Sequence, residues 1–277
     1  MKKFYIVLCV LIAACFPFEK HHEFQIKNTQ NETLYVEVDG LQNASHKKLA
    51  FLQHGLASNM DHPVIQKAKQ AFLDNGYTVV TFDSRYSMGK SGDDVQKVRL
   101  STFEEDLETV TNWAKDQPFY HEPFALAGHS LGGASVLQYG ARHPEKVNIL
   151  VPVTPVISGD LWEKSCMKRM PDFCRQWKEK GTYEYTDTKD NKTVTIPYSV
   201  ITDSVSYNAY NLIPKIKAQT LIIGAQNDNI IAPQDIKNLV EILNDKQLVL
   251  VIQNSGHNFN TPQNQNDLYL TVRDFIK

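Results

Sequence analysis

Gly128-His129-Ser130-Leu131-Gly132 sets a serine between two glycines, after an apolar run at residues 124–127 and before a helical stretch at about residues 131–142. A serine on a tight strand-to-helix turn exposes its hydroxyl for attack on a carbonyl carbon, and the flanking glycines let strand and helix approach closely enough to make that turn. Serine is a poor nucleophile near neutral pH; it needs a base, and the base needs a carboxylate to orient it. Asp228, after the strand-like residues 221–223, and His257, in Ser255-Gly256-His257-Asn258-Phe259 after the strand-like residues 248–252, complete the set in the order Ser, Asp, His. Both fall on loops at strand carboxyl ends, the edge from which Ser130 also emerges. Asp160 is a rival acid, because it follows the strand-like residues 147–153, but it lies at the start of an irregular stretch.

Bringing side chains from such distant positions to one edge requires a sheet, and the hydrophobic pattern provides for one. Residues 34–38 alternate and stop at Asp39-Gly40; residues 48–52 and 77–82 are short apolar runs. Helical periodicity marks residues 61–74, with Val64, Ile65, Ala68, Ala71 and Phe72 on one side, and residues 102–114, with Phe103, Leu107, Val110 and Trp113. Residues 233–243 and 263–276 are further helices between and after the late strands. Continuous apolar strands alternating with helices predict an α/β fold of three layers, a mostly parallel central sheet of about eight strands covered on both faces. The alternation fails between residues 157 and 214, which we read as a cap insertion over the carboxyl edge of the sheet, with a small hairpin formed by residues 182–185 and 193–196. Its Trp162, Met167, Met170, Phe173 and Trp177 suit either a lid over an apolar substrate or a satellite core.

From residue 49 to residue 277 the chain resembles the α/β-hydrolases, in particular the branch of serine esterases, monoacylglycerol lipases and serine aminopeptidases. His54-Gly55, Gly128-His129-Ser130-Leu131-Gly132-Gly133, Asp228 and Ser255-Gly256-His257 carry the resemblance. It implies Ser130 as nucleophile, His257 as general base and then acid, Asp228 as its orienting partner, and the backbone N–H groups of Leu56 and Leu131 as an oxyanion hole. The expected activity is hydrolysis of a small-molecule carboxylic ester through an acyl-enzyme, with no cofactor and no metal. The same triad serves peptide or thioester hydrolysis, and a non-catalytic surface-binding protein of the same fold is the reading from another class. Relatives often carry Asp-x-Arg-Gly-His-Gly-x-Ser after the next strand, whereas this chain has Asp83-Ser84-Arg85-Tyr86-Ser87-Met88-Gly89-Lys90-Ser91. That loop is expected near the site, so the departure bears on substrate preference and not on the triad. Gly89-Lys90-Ser91 also looks like the end of a phosphate-binding loop, but Ser84 stands where that pattern needs glycine.

The 277 residues carry 29 Lys+Arg against 31 Asp+Glu, a formal charge of -2, so there is no broad basic field for nucleic acid. Lys2-Lys3 followed by an apolar run at residues 4–14 reads as an export signal, too short for a span of about 20 residues. Ile12-Ala13-Ala14-Cys15 resembles the lipobox of bacterial lipoproteins, which implies lipidation at Cys15 and attachment to a membrane surface. The expected organisation is a signal peptide at 1–14, a tether at 15–23, a core at 24–156 and 215–277, and a cap at 157–214. The expected location is a bacterial membrane surface, or otherwise the periplasm or the medium. Cys166 and Cys174 have no zinc-type spacing, and in an oxidising compartment they form a possible disulfide. Helical positions eight apart lie about 12 Å from each other, so a bridge needs the chain to turn between them, which Pro171 can supply. His54 and His129 belong to the motifs; His46, His62, His121 and His143 are expected at the surface.

Overall fold

The computed structural model describes residues 21–92, 94–186 and 191–277; the expected signal segment, Cys15 and the hairpin tip at residues 187–190 lie outside these. Eight strands form one sheet: β1 (His21–Lys27), β2 (Thr33–Asp39), β3 (Leu49–Gln53), β4 (Thr78–Asp83), β5 (Phe124–His129), β6 (Val147–Val153), β9 (Gln219–Ala225) and β10 (Gln247–Ile252). Their spatial order is β1-β2-β4-β3-β5-β6-β9-β10. The β1/β2 and β2/β4 pairs are antiparallel and all others parallel. Parallel strands need crossover connections, which α1 (Pro63–Asp74), α2 (Leu100–Ala114), α3 (Leu131–Arg142) and α8 (Pro233–Asn238) supply, and α9 (Pro262–Phe275) follows the last strand.

The apolar runs are explained by burial on both sides. Leu49 and Phe51 of β3 pack with Phe103 and Leu107 of α2, while Ala50 and Leu52 face Ile65 and Phe72 of α1 and Leu268 of α9. The strand period of two therefore divides one run between two cores. Helix α1 begins where His62 caps it, its Nδ1 accepting from Val64 N at 3.3 Å, with Pro63 at the first helical position.

Strand β1 begins at His21, so residues 21–23 belong to the sheet and not to the tether. His21 pairs with Asp39, and Asp39 with Val79 near the start of β4. The pattern hides this strand because it lies at the sheet edge and only Ile26 of its seven residues is buried; ladder hydrogen bonds and not apolar alternation fix it.

Between β6 and β9 the chain forms α4 (Gly159–Arg169), α5 (Pro171–Lys180), the hairpin β7 (Thr182–Thr186) and β8 (Thr193–Pro197), and the short helices α6 (Ser199–Asp203) and α7 (Ala209–Leu212). A Cys166–Cys174 disulfide joins α4 to α5 with the Cα atoms 5.9 Å apart. The break at Met170-Pro171 turns the chain, which is how two positions eight apart come within bridging distance. Ser101 N and Oγ both donate to Asp203 at 2.9 Å, fastening α6 to the start of α2. No helix among the described residues is long and apolar enough to cross a membrane.

Candidate active site

Ser130 sits between β5 and α3 with φ 55° and ψ -113°, in the left-handed region that costs a residue with a Cβ on the order of 1–3 kcal/mol. The surroundings enforce it. Ser130 N donates to Val153 O at 2.9 Å, and its carbonyl accepts from Ala134 N at 3.1 Å and Val156 N at 3.2 Å. A Cβ at position 128 would overlap the Gly132 carbonyl, and one at position 132 would overlap the carbonyls of Gln53 and His54. Glycine at both places is what lets β3, β5 and α3 meet around the serine.

His257 Nδ1 lies 2.8 Å from Asp228 Oδ2, both side chains being almost fully buried. A carboxylate only accepts, so Nδ1 carries a proton, and in the neutral ring the lone pair is then on Nε2. The other oxygen of Asp228, Oδ1, accepts from Ile230 N and Ile231 N, each at 2.8 Å. The backbone of His257 is held in turn by the ends of β5 and β6: His129 Nε2 donates to His257 O at 3.1 Å, and Thr154 Oγ1 reaches the same carbonyl at 3.4 Å. Burial, aided by the neighbouring imidazoles of His257 and His62, holds His129 well below the usual histidine range. Asp160, the rival acid, is exposed in the first turn of α4.

His54 fixes the loop after β3. Its Nε2 accepts from Ser84 N at 2.9 Å and its Nδ1 donates to Gly55 O at 2.7 Å, one donor and one acceptor, as in a neutral ring. Burial pushes its pKa down, consistent with that state. Gly55 passes so close that a Cβ on it would lie 3.1 Å from Ser130 Cβ. Leu56, next in sequence, lines the cavity above Ser130, and Leu131 opens α3 and is buried.

Ser130 and His257 open into a cavity of about 380 Å³. Its roof comes from α4, α5 and the hairpin: Trp162, Phe173, Trp177, Tyr183 and Tyr185. Trp177 meets Tyr183 edge-on at 4.9 Å and Tyr198 at 5.2 Å, and its Nε1 donates to Ile196 O at 3.2 Å. The cap aromatics thus serve as a satellite core and as a cavity wall at once. Arg169 lines the cavity, and no Asp or Glu does so among the described residues.

One expectation is corrected and another is made more exact. His62 is not a surface residue: it is half-buried, lines the cavity and stacks on His129 with ring centres 5.0 Å apart. The loop at residues 83–91 lies beside the site, Met88 N donating to the carbonyl of the cavity-lining Ser58 at 3.1 Å, but none of its residues lines the cavity. That loop is instead a strut, in which Asp83 accepts from Met60 N at 2.8 Å and Lys90 N at 2.6 Å, and Arg85 Nε donates to Asp106 Oδ1 at 2.5 Å. Arg85 also pairs with Glu32 and Glu105, and the Tyr86 hydroxyl donates to Glu32. Tyr86 and Asn28 hold the Glu32 carboxylate down at about 2. Asp83 and Arg85 are buried and turn inward, Arg85 onto the buried Asp106, while Lys90 is exposed; type and spacing alone do not distinguish this from a substrate-facing loop.

Away from the cavity, His21, Glu37 and Asp39 converge closely enough to ligate a metal ion, but Lys69 Nζ already lies 2.5 Å from Asp39 and 3.6 Å from Glu37. A lysine supplies the positive charge there.

A family model described as serine aminopeptidase, S33, matches residues 44–198. The chain is 28% identical over 144 residues to a monoacylglycerol lipase of Mycolicibacterium smegmatis, covering 48% of this chain and 49% of that protein. It therefore spans about half the length of that curated relative. Among solved structures, the esterase Est1E of Butyrivibrio proteoclasticus with ferulic acid bound superposes with a TM-score of 0.72 at 17% identity, covering 91% of this chain and 97% of that one. Mouse alpha/beta hydrolase domain-containing protein 10 gives 0.70 at 17% identity, with 92% and 98% covered. At such identities these structures speak for the fold, the α/β-hydrolase fold.

Proposed function

We propose that this chain, which belongs to the serine aminopeptidase S33 family, is a serine hydrolase that cleaves carboxylic esters through an acyl-enzyme. The carrying observation is the cavity shared by Ser130 and His257: its wall is largely aromatic and apolar, and no carboxylate lines it among the described residues. An aminopeptidase must pair the substrate's α-ammonium group, and burying that cation unpaired costs several kcal/mol. A neutral ester carries no such requirement.

In this reading His257 Nε2 takes the Ser130 proton as Oγ attacks the ester carbonyl. Asp228 keeps the Nδ1–H tautomer and stabilises the imidazolium that forms. The N–H groups of Leu56 and Leu131 receive the oxyanion; removing one such donor commonly costs about 10² to 10³ in rate. Collapse expels the alcohol with the proton from His257, and water, activated by the same base, then releases the acid.

We further propose that the protein is exported and anchored through Cys15. The Cys166–Cys174 disulfide supports an oxidising compartment.

The decisive experiment is intact mass after treatment with a fluorophosphonate. One equivalent is expected on wild-type protein and none on Ser130→Ala; folded wild-type protein that takes up no label would favour the non-catalytic binding protein.

A further inference from the structure

We propose that Arg169 is a positioning residue for the triad acid, bracing the Asp228 loop from the cap, and that the Cys166–Cys174 disulfide holds it in place. This rests on the hydrolase reading above. The loop is tied on its inner side by the acid itself, whose Oδ1 collects Ile230 N and Ile231 N at 2.8 Å each. Its outer side presents the carbonyls of Asp228 and Ile230 to the cap. Arg169 meets both, Nη1 donating to Asp228 O at 3.0 Å and Nη2 to Ile230 O.

Hydrogen bonds from an ionised donor are roughly twice as strong as neutral ones, and the peptide between Ile230 and Ile231, which accepts from Arg169 at its carbonyl and donates to Asp228 Oδ1 at its N–H, is polarised from both ends. A guanidinium drawing on these carbonyls therefore steadies the same turn that Asp228 closes from within. The planar fork of arginine reaches two carbonyls with one rigid group. Its Nε is buried without a hydrogen-bond partner among the described residues, so these two carbonyl bonds account for the hydrogen bonding of its head group.

The backbone that carries Arg169 is itself fixed. Arg169 is the last residue of α4; Met170 N donates to Cys166 O at 2.8 Å, Cys174 N donates to Met170 O at 3.0 Å, and the disulfide closes the loop between them. Cys166, Met170 and Phe173 of this loop also line the cavity. One cap segment thus forms part of the substrate wall and, through Arg169, sets the acid that orients His257.

The test uses oxidised protein in four forms: wild type, Arg169→Met, Arg169→Gln and, as a control on the exposed neighbour, Lys168→Met. Two readouts separate positioning from a general loss of structure. They are the rate of labelling by a small alkyl fluorophosphonate, and the low-field proton resonance of the His257 Nδ1–H that faces Asp228. Arg169→Met is expected to label at least about tenfold more slowly, towards the 10² that a misplacement of about 1 Å can cost. Its low-field resonance should broaden or vanish while its thermal midpoint stays within about 2 °C of wild type. The Lys168→Met control should match wild type, and Cys166→Ser/Cys174→Ser should move in the same direction as Arg169→Met. Should Arg169→Met not fold, Arg169→Gln, with a neutral amide at that position, carries the same comparison. Labelling within about twofold of wild type with the resonance intact overturns the brace, since a factor of two is under 0.5 kcal/mol. If wild type itself does not label, the hydrolase reading fails, and the resonance alone decides whether Arg169 holds the Asp228–His257 pair.

Discussion

Asp228→Asn is predicted to abolish turnover while leaving the fold intact, because the two oxygens of Asp228 have different partners. Oδ1 accepts two backbone N–H groups and Oδ2 accepts the His257 Nδ1 proton. An asparagine amide has one oxygen. If that oxygen faces His257, the NH₂ group is driven against Ile230 N and Ile231 N, leaving two donors unsatisfied at about 1–3 kcal/mol each. The amide will therefore turn its oxygen to the backbone and its NH₂ group to His257. An NH₂ group cannot accept, so the imidazole must shift its proton to Nε2, where it can no longer take the proton of Ser130. The expected loss is on the order of 10⁴ in kcat, about 5 kcal/mol of transition-state stabilisation. Initial rates on a short-chain p-nitrophenyl ester measure this, and thermal unfolding gives the other half. Asn should hold the wild-type midpoint within a few degrees, whereas Asp228→Ala, which orphans both N–H groups, should fall by the order of 10 °C. An Asn variant with more than about a tenth of wild-type kcat would refute the reasoning, as would one that unfolds as early as the Ala variant.

Two further outcomes follow from charge and from the N-terminus. Burial pushes the Glu104 carboxyl up to about 7 despite its pairing with Arg142; between the ordinary carboxylate range and about 7 the folded state keeps a proton that the unfolded state has shed, so its contribution to stability falls as pH rises through that window. His54 and His129, held below the usual histidine range, act oppositely, and their contribution is lost as pH drops below about 6.5. Glu104→Gln should therefore unfold a few degrees later than wild type at pH 8, with the advantage shrinking towards pH 5; a variant less stable at pH 8 contradicts the assignment. Cys15→Ser should release the protein from the membrane fraction and end incorporation of labelled palmitate during expression, and a wild type that never takes up palmitate would dismiss the anchor.

The layered fold and the residues around Ser130 were legible because their causes are local. A turn that admits only glycine at positions 128 and 132 leaves a mark in the sequence, as does a strand buried on both faces. The disulfide was half legible: Cys166 and Cys174 are visible, but the bond depends on the break between α4 and α5. Arg169 was illegible because its partners are main-chain carbonyls, which every residue possesses. His62 was missed because stacking on His129 is a tertiary event, and β1 because an edge strand with one buried residue has almost no hydrophobic pattern. The place of the loop that carries Asp83 and Arg85 was legible, but its inward partners, Met60 N and the buried Asp106, were not, since a polar loop beside a site looks the same whatever its side chains meet.

The direction in which β1 enters the sheet determines how a tethered molecule would stand. Its first residue is level with Asp39 and, through it, with Val79, so the chain arrives at the amino end of the parallel strands, while Ser130 leaves from the carboxyl end. Strands of six residues separate those ends by roughly 20 Å. A lipid on Cys15 would therefore be joined to the chain on the side of the sheet away from Ser130. A form captured by its N-terminus would likewise be attached at the end of the sheet opposite Ser130.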